Sequence, residues 1–293
     1  MKLTIITLNY NSSETTLELL NSLKGQIDKD FQVIVIDNAS RGDDFENLKQ
    51  KFSGAVLIRN EKNLGFSGGN NMGIHRALEN RSEWILLLNN DTWVERSFVS
   101  LLKAKLGSVT GIVGLPLVED DRTAYFGKID WLKPTLTHVY SPMYTGHLKR
   151  HKSYYAIGAG VAIQRDVFRK INYLDEKYFL YFEDADFSIK GIREGISLNF
   201  LDEPKVYHQV SVTTNKLGSS LLLRYHYRNA LYFNWKNGPW YIKFILWPWS
   251  FLVITKQILK IVFRYKSDQS IAILNGVFDF YRNKMGQVVK VAY

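Results

Sequence analysis

Trp84-Ile85-Leu86-Leu87-Leu88-Asn89-Asn90-Asp91 is an unbroken apolar run that stops abruptly in a polar cluster. A short apolar run of this kind predicts a buried strand, and the amides and carboxylate behind it lie where that strand ends. Two upstream runs repeat the pattern: Leu3–Leu8 passes into Asn9-Tyr10-Asn11, and Phe31–Ile36 passes into Asp37-Asn38. Ala55–Ile58 reads as a further strand. Helical stretches lie between them. Asn11 with Glu14 three residues on has the form of a capping box, and Leu17, Leu20 and Leu23 then share a face. Phe45, Leu48 and Phe52 have helical spacing, and a glycine-rich stretch from Asn63 to Gly73 opens a helix through Ala77 and Leu78. Strands alternating with helices over short loops predict a parallel sheet covered on both faces. Ligands of such sheets bind beyond the carboxyl ends of the strands, which singles out Thr7–Tyr10, Asp37-Asn38 and Asn89–Asp91.

Downstream, Gly111–Leu117 and Tyr155–Gln164 read as strands and Asp166–Ile171 as a short helix. Residues 118–153 between them are irregular and aromatic, with a basic knot at Lys149-Arg150-His151-Lys152 that suits a substrate-facing insertion or a surface loop. The aromatic run Tyr178–Phe182 enters Glu183-Asp184-Ala185-Asp186, then a helix through Arg193 and a strand over Leu198–His208. From Leu217 the chain reads as helical.

Charge divides the chain of 293 residues in two. Residues 210–293 hold 12 Lys and Arg against 2 Asp and Glu, so the whole net charge of +10 resides there. The same segment carries Trp235, Trp240, Trp247 and Trp249, and basic side chains mixed with aromatic ones suit nucleic acid or an anionic membrane interface. The segment lacks an RNP-type strand or a glycine-clamped loop, which favours the membrane. The apolar run Phe244–Thr255 contains Pro248 and falls short of the roughly 20 residues that a spanning helix needs. Lys243, Lys256, Lys260, Arg264 and Lys266 around it predict an amphipathic element lying at the surface. The chain has no cysteine, which excludes disulfide scaffolds, iron–sulfur clusters and thiol catalysis. Its N-terminus turns polar too soon for a signal peptide, so a cytosolic protein is expected.

Three of the motifs can carry chemistry. The glycines between Asn63 and Gly73 let backbone approach a ligand, although no Walker loop or dinucleotide fingerprint is present. Asn89-Asn90-Asp91 can hold a hard divalent cation against a diphosphate, since Mg²⁺ often takes one or two carboxylates plus substrate phosphates. Glu183-Asp184-x-Asp186 crowds three acids, and mutual repulsion raises at least one pKa toward that of a general base. The plainer readings are a strand-to-helix turn, a capping aspartate and acids complementing a helix dipole.

The ordered set Thr7–Asn11, Asp37–Ser40, Asn63–Gly73, Leu87–Thr92 and Phe182–Phe187 resembles glycosyltransferase family 2, and within it the rhamnosyltransferase-like branch. The resemblance implies an α/β GT-A nucleotide-sugar fold over residues 1–212, with a nucleotide-binding half at 1–117 and an acceptor half at 118–212. A basic helical extension would occupy 213–293. It implies an inverting transferase that moves a sugar, with dTDP-rhamnose the first choice and UDP-sugars next, to a glycan or polyprenyl-linked glycan. Asp184 would be the catalytic base. Thr7, Asn9, Tyr10, Asp37, Asn38, Asn63, Gly65, Gly68, Asn70, Asn71, Asn90 and Arg228 would surround the donor. Asp91, Asn89 and His208 would hold Mg²⁺ or Mn²⁺, with Asn89 departing from the family's aspartate at the first position of its Asp-x-Asp motif. The protein would sit on the inner face of the cell membrane. The competing readings are a nucleotidyltransferase, a basic nucleic-acid-binding protein with a vestigial enzyme domain, and a membrane-bound scaffold without turnover. Oligomeric state stays open.

Overall fold

The computed structural model describes residues 1–132, 135–141, 153–208 and 219–288. The N-terminal strands are β1 (Leu3–Asn9), β2 (Phe31–Asp37), β3 (Val56–Arg59) and β4 (Trp84–Leu88). They lie parallel in the order β4-β1-β2-β3. The sheet continues through β12 (Gly160–Gln164), β6 (Ile112–Gly114) and β13 (Leu198–Phe200) to seven strands, and β12 alone runs against its neighbours. This is the mostly parallel α/β sheet that the alternating runs imply.

The period-2 alternation of each strand divides the core between the two faces. Leu3, Ile5, Val33 and Val35 point to one side and pack with Leu19, Leu20 and Leu23 of α1 (Ser13–Lys24). Ile6, Ile34 and Ile36 point to the other and pack with Ile74 and Ala77 of α3 (Gly65–Glu79). Glycines set how closely α3 approaches. A Cβ at Gly69 would lie 2.3 Å from Leu8 Cδ1, and one at Gly73 would lie 2.6 Å from Ile6 Cγ2.

Several local expectations change. The start of α1 is not closed by a capping box. Asn11 has φ of 52°, and the Asp44 carboxylate accepts the free amides instead, at 2.9 Å from Ser13 N and 3.3 Å from Ser12 N. Asp44 begins α2 (Asp44–Lys51), so the cap joins two helices. The run Gly111–Leu117 is two strands, β6 and β7 (Leu117–Glu119), because Pro116 has no amide for a ladder and the chain changes sheet there. Likewise Leu198–His208 divides at Pro204 into β13 and β14 (Val206–His208). β14 joins a second sheet, in the order β5 (Thr92–Val94), β14, β7 and β8 (Arg122–Ala124). A third sheet joins β9 (Phe126–Asp130), β10 (Thr135–Val139) and β11 (Tyr154–Tyr155). Residues 118–153, expected to be irregular, are therefore largely strand where described. The basic knot at 149–152 and the expected domain boundary at 212 lie outside the described residues.

The remaining helices of the first half are α4 (Phe98–Leu106), α5 (Arg165–Ile171) and α6 (Glu183–Arg193). Three more follow: α7 (Ser219–Asn237), α8 (Trp240–Val262) and α9 (Ser267–Tyr281). Helix α8 continues through Pro248, and by length and composition it is long and apolar enough to cross a membrane. Counting the linear run Phe244–Thr255 misses this, because Lys243 and Lys256 interrupt the sequence without interrupting the helix. Ile242, Leu246, Ser250 and Gln257 are buried at the inner face. At 100° per residue, Trp240, Phe244, Trp247, Phe251 and Val262 fall opposite them, between 65 and 75% exposed.

Candidate active site

Two cavities meet at the carboxyl ends of β1, β2 and β4. The first, of about 830 Å³, is lined by Tyr10, Asn38, Asn63, Gly65, Phe66, Asn70 and the Asn89-Asn90-Asp91 cluster. The second, of about 1120 Å³, is lined by Glu119, His138, Glu183, Asp184, His208 and His226. Phe66, Asn89, Asp91, Gly158 and Leu180 line both, so the chambers share one wall.

The first chamber is framed by amide hydrogen bonds. Asn38 Nδ2 donates to Asn63 Oδ1 at 2.9 Å and to the Gly65 carbonyl at 3.0 Å, and Asn38 Oδ1 accepts from Asn60 Nδ2 and Leu64 N. One side chain thereby ties the end of β2 to the entry of α3. Gly65 needs its lack of a side chain: φ is +73°, and a Cβ would lie 2.3 Å from the Phe179 carbonyl oxygen. Asn90 is held by Ser12 Oγ at 2.8 Å and Thr16 Oγ1 at 2.9 Å. Asn9 and Asp37 stand behind this wall and not in it. Asn9 Nδ2 donates to Asp37 Oδ1 at 2.9 Å and to Asp44 Oδ2 at 2.7 Å, while Asp37 Oδ2 accepts from Ser40 N and faces Arg59 Nε at 3.6 Å. Burial disfavours the charged form of Asp44, but the hydrogen bonds from Asn9 and Ser13 prevail and hold its carboxyl below the ordinary range. Thr7 is fully buried, with an unpartnered Oγ1.

Besides Thr7, Asn9 and Asp37, three more sequence-selected positions line neither chamber. Gly68 packs beneath Leu64 and Glu176, and Asn71 clamps the chain at Leu174 by donating to its carbonyl and accepting from its amide. Arg228 was expected at the diphosphate. Its guanidinium is instead buried and occupied with carbonyls, donating to Tyr178 O at 2.9 Å and Gly286 O at 2.7 Å. Arg224 is likewise engaged, by Asp279 at 2.7 Å.

The shared wall carries the cation candidates. Asp91 Oδ1 lies 3.2 Å from His208 Nε2, and β14 pairs with β5 to bring them together. Burial opposes charge on the imidazole, yet Asp91 and Glu119 push it up to about 9. Glu119 is held well below the ordinary carboxylate range: burial opposes this, and hydrogen bonds with His138 and His208 outweigh it. His208 Nδ1 faces Glu119 Oε1 at 3.7 Å, beyond hydrogen-bond length. The 3.2 Å between Asp91 Oδ1 and His208 Nε2 fits a shared cation, since adjacent ligands on an octahedral ion with bonds of about 2.1 Å stand about 3 Å apart. Among the described residues no three histidines or carboxylates converge on one point, so such an ion would need the Asn89 amide or ligand oxygens as well.

The acid cluster separates into three roles. Asp184 is half-buried in the second chamber, its Oδ2 accepting from Gly158 N at 3.0 Å and its Oδ1 from Ala185 N at 2.7 Å. Burial raises its pKa, against the hydrogen bonds from those amides. Glu183 is 5% exposed, with Oε2 unpartnered, and burial followed by the Asp184 charge raises it further. Asp186 points away to the C-terminal helices, where Lys236 Nζ at 2.8 Å, Asn237 Nδ2 at 2.5 Å and Tyr178 OH at 3.1 Å surround it.

Sequence reasoning missed what holds Asp184 in place. Phe179, Tyr181 and Phe182 have φ of 64°, 71° and 75°, a left-handed conformation that costs of order 1–3 kcal/mol at each such residue. Asn229 of α7 secures this turn, with Nδ2 donating to the carbonyls of Tyr178 at 2.9 Å, Leu180 at 2.7 Å and Tyr181 at 3.2 Å. Asn229 is wholly buried, and a buried amide on a helix otherwise rich in aromatics was the signal available.

The seven-stranded, mostly parallel sheet carries paired chambers at its carboxyl edge, and the Glycosyl transferase family 2 profile matches residues 4–172. The chain belongs to glycosyl transferase family 2. Among curated relatives, the low-salt glycan biosynthesis hexosyltransferase Agl10 of Haloferax volcanii is 27% identical over 78% of this chain and 73% of that protein. The N-acetylglucosaminyl-diphospho-decaprenol L-rhamnosyltransferase of Mycobacterium tuberculosis is 20% identical over 84% of this chain and 88% of its own. Among solved structures, the mannosyltransferase PcManGT of Pyrobaculum calidifontis, in complex with GDP-Man and Mn²⁺, superposes with a TM-score of 0.58 at 13% identity. That alignment covers 96% of this chain and 87% of PcManGT. This family 2 protein is thus a nucleotide-sugar glycosyltransferase with the GT-A-like architecture.

Proposed function

We propose that this glycosyltransferase performs an inverting transfer from a nucleotide-diphosphate sugar, with dTDP-rhamnose first among donors, to a hydroxyl of a lipid-linked glycan. The observation that carries the reading is the shared wall: Asp91 and Asn89 border both chambers, and His208 and Asp184 line the second. The donor occupies the first chamber, among Tyr10, Asn38, Asn63, Gly65, Asn70 and Asn90, with Thr7, Asn9 and Asp37 fixing its rear wall. The acceptor enters the second. Asp184 takes the proton of the attacking hydroxyl while the sugar–diphosphate bond breaks on the opposite face, through an oxocarbenium-like transition state. Desolvation raises the basicity of Asp184, and the Gly158 amide fixes its direction. Asp91, His208 and the Asn89 amide are the residues that would hold Mg²⁺ or Mn²⁺. Such an ion offsets charge on a departing diphosphate. The rhamnosyl and lipid-linked parts of the reading draw on the mycobacterial relative.

The test is a thermal-shift titration with dTDP, UDP and GDP, each with and without Mn²⁺, on wild type and Asp91→Ala. Stabilisation by one nucleotide that needs the ion and is lost in the variant is expected, following RT ln(1 + [L]/Kd). Equal response of the variant would remove Asp91 from the site.

The outward face of α8 is assigned to an anionic membrane surface, on which the helix lies in plane. Lys243 borders its apolar stripe, Lys256 and Lys260 add positive charge to the same helix, and the helix holds no acidic residue, which matches an anionic headgroup layer. Phe244→Glu with Phe251→Glu is expected to abolish co-sedimentation with phosphatidylglycerol vesicles. If wild type ignores the vesicles but forms a dimer that these changes dissolve, the face is an interface between copies.

A further inference from the structure

The proton-transfer chemistry uses Asp184 and leaves Glu183 and His226, which line the same chamber, without a role. Glu183 is the first residue of α6, and its Oε2 is buried without a partner. A buried acceptor without a partner is costly, and beside a cavity a ligand donor can satisfy it. The carboxyl lines the same chamber as Asp184 and has no cation beside it: Lys236 is taken by Asp175 and Asp186. His226 reaches the chamber from a different element, α7, and packs its ring 5.3 Å from that of Phe182. Burial lowers its pKa, which leaves a neutral imidazole with one donor and one acceptor nitrogen. Tyr155, Tyr181 and Phe182 supply apolar faces around these two polar groups. One carboxyl, one neutral imidazole and aromatic faces match a sugar ring, which presents hydroxyls at its edge and C–H groups on its faces.

We propose that Glu183 and His226 form the subsite that binds the acceptor sugar ring, hydrogen-bonding hydroxyls next to the one that Asp184 deprotonates. The inference rests on the transferase reading above and deepens it. It makes α7 a part of acceptor selection: the helix that holds the strained turn through Asn229 also presents a specificity-determining side chain to the chamber. Glu183, one residue before the base, fixes the acceptor and leaves Asp184 free for the proton. Burial disfavours its charged form, and in the protonated form the carboxyl donates as well as accepts.

The experiment is saturation-transfer NMR on the full chain with methyl pyranosides of glucose, N-acetylglucosamine, galactose and rhamnose, in wild type, Glu183→Gln, Glu183→Ala and His226→Ala. Nucleotide affinity is followed in parallel by thermal shift. Wild type is expected to transfer saturation to at least one glycoside. Glu183→Ala and His226→Ala should weaken that glycoside at least 10-fold, while Glu183→Gln, which keeps a donor and an acceptor, recovers part of the loss. Nucleotide affinity should stay within 2-fold in all three. No binding of any glycoside to wild type that binds nucleotide overturns the subsite and leaves the donor reading standing. Glycoside binding that all three variants retain also overturns it. Glycoside binding without any nucleotide response would instead refute the transferase reading. Should Glu183→Ala fail to fold, His226→Ala, whose ring is half-buried on a helix face, decides the question.

Discussion

Gly65 gives the sharpest test of how the first chamber is built. Replacing it with alanine does two things that can be separated. The residue has φ of +73°, where a side chain costs roughly 1–2 kcal/mol. The new Cβ would also fall 2.3 Å from the Phe179 carbonyl oxygen and 2.6 Å from two atoms of its ring. Neither can yield easily, because Phe66 N donates to that carbonyl at 2.6 Å and the ring stacks on Tyr225 at 5.4 Å. Overpacking of this kind adds about 1–3 kcal/mol, so Gly65→Ala should cost about 2–5 kcal/mol. Gly42 is the control: its φ is +60° and nothing lies within 4 Å of a Cβ there, so Gly42→Ala should pay only the backbone cost, about 1 kcal/mol. Urea unfolding of both variants measures the difference, and nucleotide titration shows whether the chamber survives. Equal losses in the two variants would refute the claim that Phe179 is pressed against α3.

Three further outcomes are expected. Asp184→Asn should lower kcat by about 10²–10⁴-fold while keeping nucleotide affinity, measured by coupled nucleotide release and thermal shift; turnover within 10-fold of wild type would remove it as the base. In Glu183 the folded state holds a proton that the unfolded chain gives up above pH 4.3 or so, so it loses stability as pH rises from there toward the folded value. Glu183→Gln removes that loss, and its urea midpoint should exceed that of wild type at pH 8 by more than at pH 5, the gap growing by up to about 1.4 kcal/mol per pH unit. Lys236→Met leaves Asp186, which is 2% exposed, without its cation, and should cost about 3 kcal/mol at pH 7. That cost should shrink in acid, because Asp175, though burial opposes it, is held below the ordinary carboxylate range by Lys236, and protonation removes the pairing as pH falls through that value.

Much of the sheet was legible because its strands are unbroken apolar runs that end in amides and carboxylates. Trp84–Leu88 is β4 to the residue, and β1 and β2 extend one residue past the predicted runs, into Asn9 and Asp37. Local sequence did not reveal which sheet a strand joins. Leu117 and Val206 continue apolar runs that begin in the central sheet, and only the breaks at Pro116 and Pro204 show that the chain has moved to another. Of the residues expected around the donor, Asn38, Gly65 and Asn90 line the first chamber, and Arg228 lies away from it. A guanidinium near a diphosphate site and one holding backbone carbonyls have the same sequence signature; they differ in what lies across from them, here Tyr178 and Gly286, 50 and 58 residues distant.

The same long-range bonds change what the C-terminal segment is. Its charge separates it from the rest of the chain, which suggests an appendage. Yet Arg228 and Asn229 hold the carbonyls of a turn in which three aromatic residues are left-handed, and that turn runs directly into Asp184. Lys236 and Asn237 then fix the other side of α6 through Asp186. A turn strained by several kcal/mol persists only where surrounding contacts over-determine it. Without α7, the carbonyls of Tyr178, Leu180 and Tyr181 would lose the Asn229 bonds that hold this turn before Asp184. Helix α7 is therefore part of the unit that positions Asp184, and α8 packs on it through Tyr227 and Trp249 with rings 6.2 Å apart.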